Sequence, residues 1–220
     1  MDKLTFAKKI DSTLLRPTAA EAEIREICRL AREYKFATVA LPSQFMELAI
    51  ELLEGSGVGF DAAVGFPLGI QSTETKVHEA VEAVRKGATE VDMVIALGKF
   101  KSGLYKEVEE EIRRVVEAVP GITTKVIIET YYLTDEEKRI AAELAANAGA
   151  DFVKTSTGFA PTGATVEDVK LLYDAVGDRI KVKASGGIRT TEQALALLEA
   201  GASRIGASNA HILVDGLRES

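Results

Sequence analysis

Cysteine, histidine, long apolar runs and clustered positive charge are all scarce in this chain, and each scarcity removes a class of function. One cysteine, Cys28, leaves no internal disulfide framework. Its setting, Glu26-Ile27-Cys28-Arg29-Leu30, reads as a helix thiol in a reducing compartment. The two histidines, His78 and His211, stand apart without metal-ligand spacing, so neither a metal nor any other cofactor is expected. His78 falls in a helical stretch as a surface residue. No apolar run approaches the roughly 20 residues that span a bilayer. Met1-Asp2-Lys3-Leu4 opens an amphipathic stretch without a signal-peptide pattern, so a cytoplasmic protein with no membrane partner is expected. The formal net charge is -7 and no Lys/Arg-rich stripe breaks that acidity, which argues against a nucleic-acid partner. G-x-S-x-G, Walker and G-x-G-x-x-G motifs are also missing.

What is present is alternation. Short β-branched or apolar runs recur from end to end, with helical patterns between most of them. The runs are 10–13, 36–40, 59–64, 90–95, 125–129, 151–154, 180–183 and 204–206. Such alternation points to βαβ units and a parallel sheet. Eight units fit a closed (β/α)8 TIM barrel, which takes about 250 residues. The chain has 220 residues, without linker, low-complexity tract or composition shift, so one domain over 1–220 is expected. The competing architecture, an open doubly wound sheet, lacks its glycine fingerprint here. Thr18-x-x-Glu21, Thr134-x-x-Glu137 and Thr190-x-x-Gln193 read as capping boxes. Lys86-Gly87-Ala88, Ala148-Gly149-Ala150 and Ala200-Gly201-Ala202 read as helix ends followed two residues later by a strand.

Two of the runs end on a lysine followed at once by Gly, Ser and Thr. These are Phe152-Val153-Lys154-Thr155-Ser156-Thr157-Gly158 and Val182-Lys183-Ala184-Ser185-Gly186-Gly187. In a parallel barrel both lysines lie at the C-terminal strand ends, on neighbouring strands about 4.8 Å apart. Desolvation and a second ammonium both push a lysine toward its neutral, nucleophilic form. A snorkelling side chain or an ion pair is the structural alternative. Asp92, between Val91 and Met93, needs a partner if buried. A salt bridge to Lys125 or Lys181 and general acid/base work are both open to it. Lys125 shares strand parity with Ile127 and Glu129 and so points inward. Lys181, one layer below Lys183, reads as a polar core residue or ion-pair partner. The loops at 155–158, 185–187 and 206–209 cluster small residues where barrels often seat a phosphate, although Gly and Ser also punctuate ordinary turns.

Six ordered segments carry a resemblance. They are Asp11-Ser12-Thr13-Leu14-Leu15-Arg16-Pro17, Val64-Gly65-Phe66-Pro67-Leu68-Gly69, Glu90-Val91-Asp92-Met93-Val94, Lys125-Val126-Ile127-Ile128-Glu129-Thr130, and the two lysine segments. Together the chain resembles the deoxyribose-phosphate aldolase family from about Ile10 to Gly206. The resemblance implies a metal-free class I aldolase on a (β/α)8 barrel. Such an enzyme reversibly cleaves 2-deoxy-D-ribose 5-phosphate to acetaldehyde and D-glyceraldehyde 3-phosphate. It assigns Lys154 as Schiff-base nucleophile, Lys183 as the ammonium that lowers its pKa, and Asp92 as proton shuttle. Gly158, Gly186, Gly187 and Ser208 would hold the phosphate, and Lys125 matches a further lysine of the family's site. The partners implied are small sugar phosphates and aldehydes, and outer-helix pairing to a homodimer is expected. The chain departs from the family at Ser12, where His is common, at Arg16 for Lys, at Ala40, at Asn209, and in a tail, Arg218-Glu219-Ser220, without tyrosine. Those departures motivate a second reading, a related aldolase with altered aldehyde specificity. A third reading is a barrel that only binds a sugar phosphate.

Overall fold

The computed structural model describes residues 1–218. Eight parallel strands close on themselves in chain order, with β8 pairing back onto β1. They are β1 Ile10–Thr13, β2 Thr38–Leu41, β3 Gly59–Val64, β4 Glu90–Val94, β5 Thr123–Ile127, β6 Phe152–Lys154, β7 Lys181–Ser185 and β8 Ala202–Ala207. The expected barrel is therefore present, with strand limits that move by a few residues. β2 starts after Phe36-Ala37, β7 runs on through Ser185, and Glu129 lies beyond the end of β5.

Strand alternation sorts the side chains into two regions of opposite character. Val39, Leu41, Val64, Met93, Val126, Val153, Val182 and Ile205 are all fully buried between sheet and helices. Each such aliphatic side chain contributes about 1.5–3 kcal/mol when removed from water. The opposite parity faces the barrel axis and is largely ionic. The register sets Asp61 beside Glu90, Asp92 beside Lys125, Lys154 beside Lys183 and Lys183 beside Arg204.

Local signals account for most helix limits. Thr134 and Thr190 cap helices Asp135–Asn147 and Thr191–Glu199 as reciprocal boxes with Glu137 and Gln193. The Thr18 box does not form. Helix Glu21–Tyr34 is capped at Ala20, whose amide donates to Glu23 Oε2 at 3.1 Å, so only the return leg of a box exists. Gly87, Gly149 and Gly201 all take positive φ at helix ends, and each leads into the next strand. Cys28 is buried in helix Glu21–Tyr34, and burial pushes its thiol up to about 11, which leaves it unreactive. His78 is exposed on helix Thr73–Lys86. No helix among the described residues is long and apolar enough to cross a membrane.

Candidate active site

Four cations and four carboxylates meet inside the barrel. Lys125, Lys154, Lys183 and Arg204 come from β5, β6, β7 and β8. Asp11 and Asp61 come from β1 and β3, and Glu90 and Asp92 from β4. Lys183 Nζ lies 2.6 Å from Asp11 Oδ2, 2.9 Å from Asp61 Oδ2 and 2.7 Å from Asp92 Oδ2. Lys125 Nζ lies 2.9 Å from Asp61 Oδ2, 2.6 Å from Glu90 Oε2 and 2.7 Å from Asp92 Oδ1. Arg204 joins Asp11 Oδ1 at 2.6 Å to Glu90 Oε2 at 3.1 Å. Among the described residues Lys154 Nζ pairs only with Asp92, donating to Oδ2 at 2.5 Å. Asp92 is thus the one carboxylate shared by all three lysines.

The carboxyl oxygens of Asp11, Asp61 and Glu90 come within 4.8 Å of one another, a spacing suited to a divalent cation. Each pair of them is already bridged by a protein cation. Lys183 bridges Asp11 and Asp61, Lys125 bridges Asp61 and Glu90, and Arg204 bridges Asp11 and Glu90. A metal there would have to displace those cations.

The charges divide the lysines. Burial works to lower Lys183 and Lys125, but the carboxylates around them outweigh it and hold both ammoniums above the usual lysine value. Burial lowers Lys154 as well. With Asp92 as its only contact, and with Lys183 opposing its charge, Lys154 stays below the usual value. Burial works to raise Asp92, yet Lys125, Lys154 and Lys183 together hold it well below the ordinary carboxylate range.

Lys154, although buried, is also the one lysine of this group that lines a cavity. A cavity of about 490 Å³ on the C-terminal face of the barrel is lined by Lys154 and by the ends of β1, β6, β7 and β8. Gly158, Gly186, Gly187 and Ser208 line it with Lys154. Gly186 and Gly163 approach so closely that a Cβ on Gly163 would meet the Gly186 carbonyl oxygen at 2.0 Å, so this crossing of loops requires glycine. Asn209 does not face the cavity; its side-chain amide donates to the Arg189 carbonyl at 2.9 Å and ties the β8 loop to the β7 loop. At the mouth, Phe66 and Phe159 stack edge to face with ring centroids 5.4 Å apart.

Some sequence expectations land elsewhere. Lys125, expected as a further lysine of the substrate site, is fully buried among carboxylates below the cavity and does not line it. Lys181 is exposed at the start of β7, over the Phe152 ring at 5.6 Å, and is no partner of Asp92. Of the departures noted above, Arg16 lines the cavity and pairs with Glu23, whereas Ser12 and Ala40 are buried away from the lining. Ser12 has the opposite parity to the inward-facing Asp11. Glu219 and Ser220 of the tail lie outside the described residues.

Sequence reasoning did not assign Asp61, Glu90, Arg204 or Glu129, and gave Asp11 no role. Asp61 in Gly59-Phe60-Asp61-Ala62-Ala63-Val64 carried the same signal as Asp92, a carboxylate inside an apolar strand. Glu129 takes a left-handed backbone (φ 52°) just past β5. It accepts from the Thr157 amide at 3.2 Å and from the Thr157 hydroxyl, which fixes the loop carrying Gly158.

Known proteins share this arrangement of elements and sequence. Residues 6–213 match the DeoC/LacD family aldolases. The chain belongs to that family. A deoxyribose-phosphate aldolase of Caldanaerobacter subterraneus subsp. tengcongensis is 57% identical over 208 residues, covering 93% of this chain and 90% of that protein. One from Aciduliprofundum boonei is 52% identical over 219 residues, covering 99% of both chains. Among solved structures, the aldolase QR15 superposes with a TM-score of 0.92 at 44% identity, covering 96% of this chain and 94% of that one. The tetrameric deoxyribose phosphate aldolase from Aeropyrum pernix gives 0.88 at 34% identity, covering 97% and 91%. The DeoC/LacD aldolase match takes in all eight strands and the four cations and four carboxylates that form an ionic cage inside the barrel.

Proposed function

We propose that this chain is a class I deoxyribose-phosphate aldolase, reversibly cleaving 2-deoxy-D-ribose 5-phosphate to acetaldehyde and D-glyceraldehyde 3-phosphate. The observation that carries the mechanism is Lys154. Burial and the Lys183 charge hold its ammonium below the usual lysine value, and it forms part of the cavity wall with a carboxylate at its Nζ. The neutral amine attacks the aldehyde carbon of the open-chain sugar. Asp92 moves protons at the Lys154 nitrogen as the carbinolamine forms and loses water. The resulting iminium draws electrons from the C2–C3 bond as the C3 hydroxyl gives up its proton, which releases glyceraldehyde 3-phosphate. Hydrolysis of the remaining enamine releases acetaldehyde. Lys183 remains charged throughout, pinned by three carboxylates, and opposes the protonated form of Lys154.

The reading seats the phosphate at the loops after β6, β7 and β8, whose Gly158, Gly186, Gly187 and Ser208 line the cavity, with backbone amides and a hydroxyl as the donors it would use. The altered-aldehyde reading draws little support from Ser12, Ala40 and Asn209, since none of the three side chains faces the cavity. With the deoxyribose-phosphate aldolase reading we pair a cytoplasmic location, in keeping with the lone buried thiol of Cys28. We further propose self-association through the outer helices, as a homodimer or a higher assembly; the Aeropyrum pernix relative is described as tetrameric.

Borohydride reduction in the presence of acetaldehyde, followed by peptide mass spectrometry, tests nucleophile and reaction class together. A reduced two-carbon adduct on Lys154 is the expected result. An adduct on another lysine, or none under turnover conditions, overturns the proposal.

A further inference from the structure

With all eight groups ionised, the cage around the barrel axis is electrically neutral. Lys154 can attack only as a neutral amine, which leaves three cations facing four carboxylates. An uncompensated charge in a sealed interior costs several kcal/mol. One carboxylate is therefore best protonated while Lys154 is neutral, and the four are not equally suited. Asp92 is held on both oxygens, by Lys125 on one and by Lys154 and Lys183 on the other. Asp11 has a cation at each oxygen, Arg204 hydrogen-bonded to Oδ1 and the Lys183 ammonium 2.6 Å from Oδ2 as an ion pair without a hydrogen bond. Glu90 is held by Lys125 and by contacts from Arg204 to both oxygens. Asp61 is held through Oδ2 alone, at 2.9 Å from Lys125 and from Lys183, while its fully buried Oδ1 has no partner among the described residues.

We infer that Asp61 is the internal store for the proton that Lys154 must lose, acting through Lys183 and Asp92 and never touching substrate. The route lies in the contacts. Lys154 gives a proton to Asp92 Oδ2, and Asp92 passes it to Lys183 as Lys183 releases one of its own to Asp61 Oδ2. The result is a neutral amine on Lys154, a neutral acid on Asp61, and Lys183 and Asp92 charged as before. Attack then forms the C–N bond, and an amine proton moves to the former carbonyl oxygen. When the C–O bond breaks, the proton stored on Asp61 returns along the same chain and leaves with the hydroxyl as water. Lys154 becomes a cationic iminium as Asp61 becomes a carboxylate, so the cage stays neutral at both ends of the step. Burial, with like-charge repulsion from Asp92, pushes the Asp61 carboxyl up to about 6, in the direction this role needs.

The inference rests on Lys154 being the Schiff-base lysine, and the experiment separates the two. Infrared difference spectra are recorded near pH 6 on the whole protein with and without acetaldehyde, with borohydride trapping run in parallel. The free protein should show the carbonyl band of a protonated carboxyl, and this band should vanish as the adduct forms. Aspartate labelled with ¹³C at the carboxyl should shift it, and Asp61→Asn should lack it in both states. A pH indicator in weak buffer should record no net proton uptake by the wild type and, for Asp61→Asn, uptake of about one proton per adduct. An adduct on Lys154 without loss of such a band overturns the role of Asp61 alone. So does a band that persists in Asp61→Asn. Absence of any Lys154 adduct overturns the underlying reading and this inference together. If Asp61→Asn fails to fold, Asp61→Glu decides, because it keeps a carboxyl at that position outside the aspartate label, and an adduct-linked band that still shifts with the label overturns the role of Asp61.

Discussion

Three lysines share Asp92, and what separates them is the number of other carboxylates each one reaches. Lys183 and Lys125 have three partners apiece and are locked as ammoniums. Lys154 has one partner and an open side, which is the physical basis for giving it the nucleophile's role. Lys183→Leu removes a neighbouring positive charge and frees three carboxylates, and both changes favour protonated Lys154. The basic limb of the rate of adduct formation should therefore move to higher pH, read by borohydride trapping across a pH series. A limb that stays in place would mean that desolvation alone tunes Lys154. The sequence raised Lys154, Lys183 and Asp92 for a physical reason, since ionic residues in apolar strands are costly and need a purpose. The same reasoning could have reached Asp61. It could not have shown that Lys125 is sealed among carboxylates while Lys154 reaches the cavity, because depth along the barrel axis depends on strand stagger.

At the scale of elements, the loops after β6 and β7 are stitched together by small hydroxyl side chains. Thr155 Oγ1 donates to the Ser185 carbonyl at 3.1 Å and accepts from the Ser185 amide at 3.1 Å, and Ser185 Oγ donates to the Ser156 carbonyl at 2.5 Å. The Thr157 hydroxyl donates to Glu129 and accepts from the Phe159 amide at 3.1 Å, so one side chain anchors both ends of the Gly158 turn. Hydrogen bonds to a charged group are worth about 1.5–3 kcal/mol. Thr157→Val should therefore raise KM for deoxyribose 5-phosphate by about tenfold or more, with a smaller effect on unphosphorylated deoxyribose. Equal effects on the two substrates would show that the loop does not serve the phosphate. Sequence showed that these loops were rich in Gly, Ser and Thr. It showed neither the partner of each hydroxyl nor the failure of the Thr18 box, because both depend on where neighbouring loops lie.

For the whole molecule, the ionic interior links stability to pH. Asp11 and Asp92 are held below the ordinary carboxylate value by the surrounding cations, so their contribution is present above that value and is lost as pH falls through their folded-state pKa. Asp61 has the opposite sign. Its folded-state pKa is raised from 3.8 to about 6, so its contribution is present below 3.8 and is lost as pH rises through 6. Urea midpoints measured over a pH series should therefore hold steady or rise as pH falls from 6 to about 4, and drop steeply below the ordinary aspartate value of 3.8. Asp61→Asn should lack the rise. A midpoint that falls steadily from pH 6 downward would contradict this charge arrangement.

By itself, the sequence determined the (β/α)8 architecture, because hydrophobic periodicity and the spacing of strands, caps and glycine ends are local and survive without knowledge of contacts. It determined the family too, since six ordered segments constrain a chain far more tightly than any one of them. Only the tertiary structure decided which lysine is exposed to the cavity, which are sealed by carboxylates, and that Asp61 is left with an oxygen unpartnered. Those distinctions arise from distances between strands far apart in the chain, and a charge's state depends on every charge within a few ångströms rather than on its neighbours in sequence.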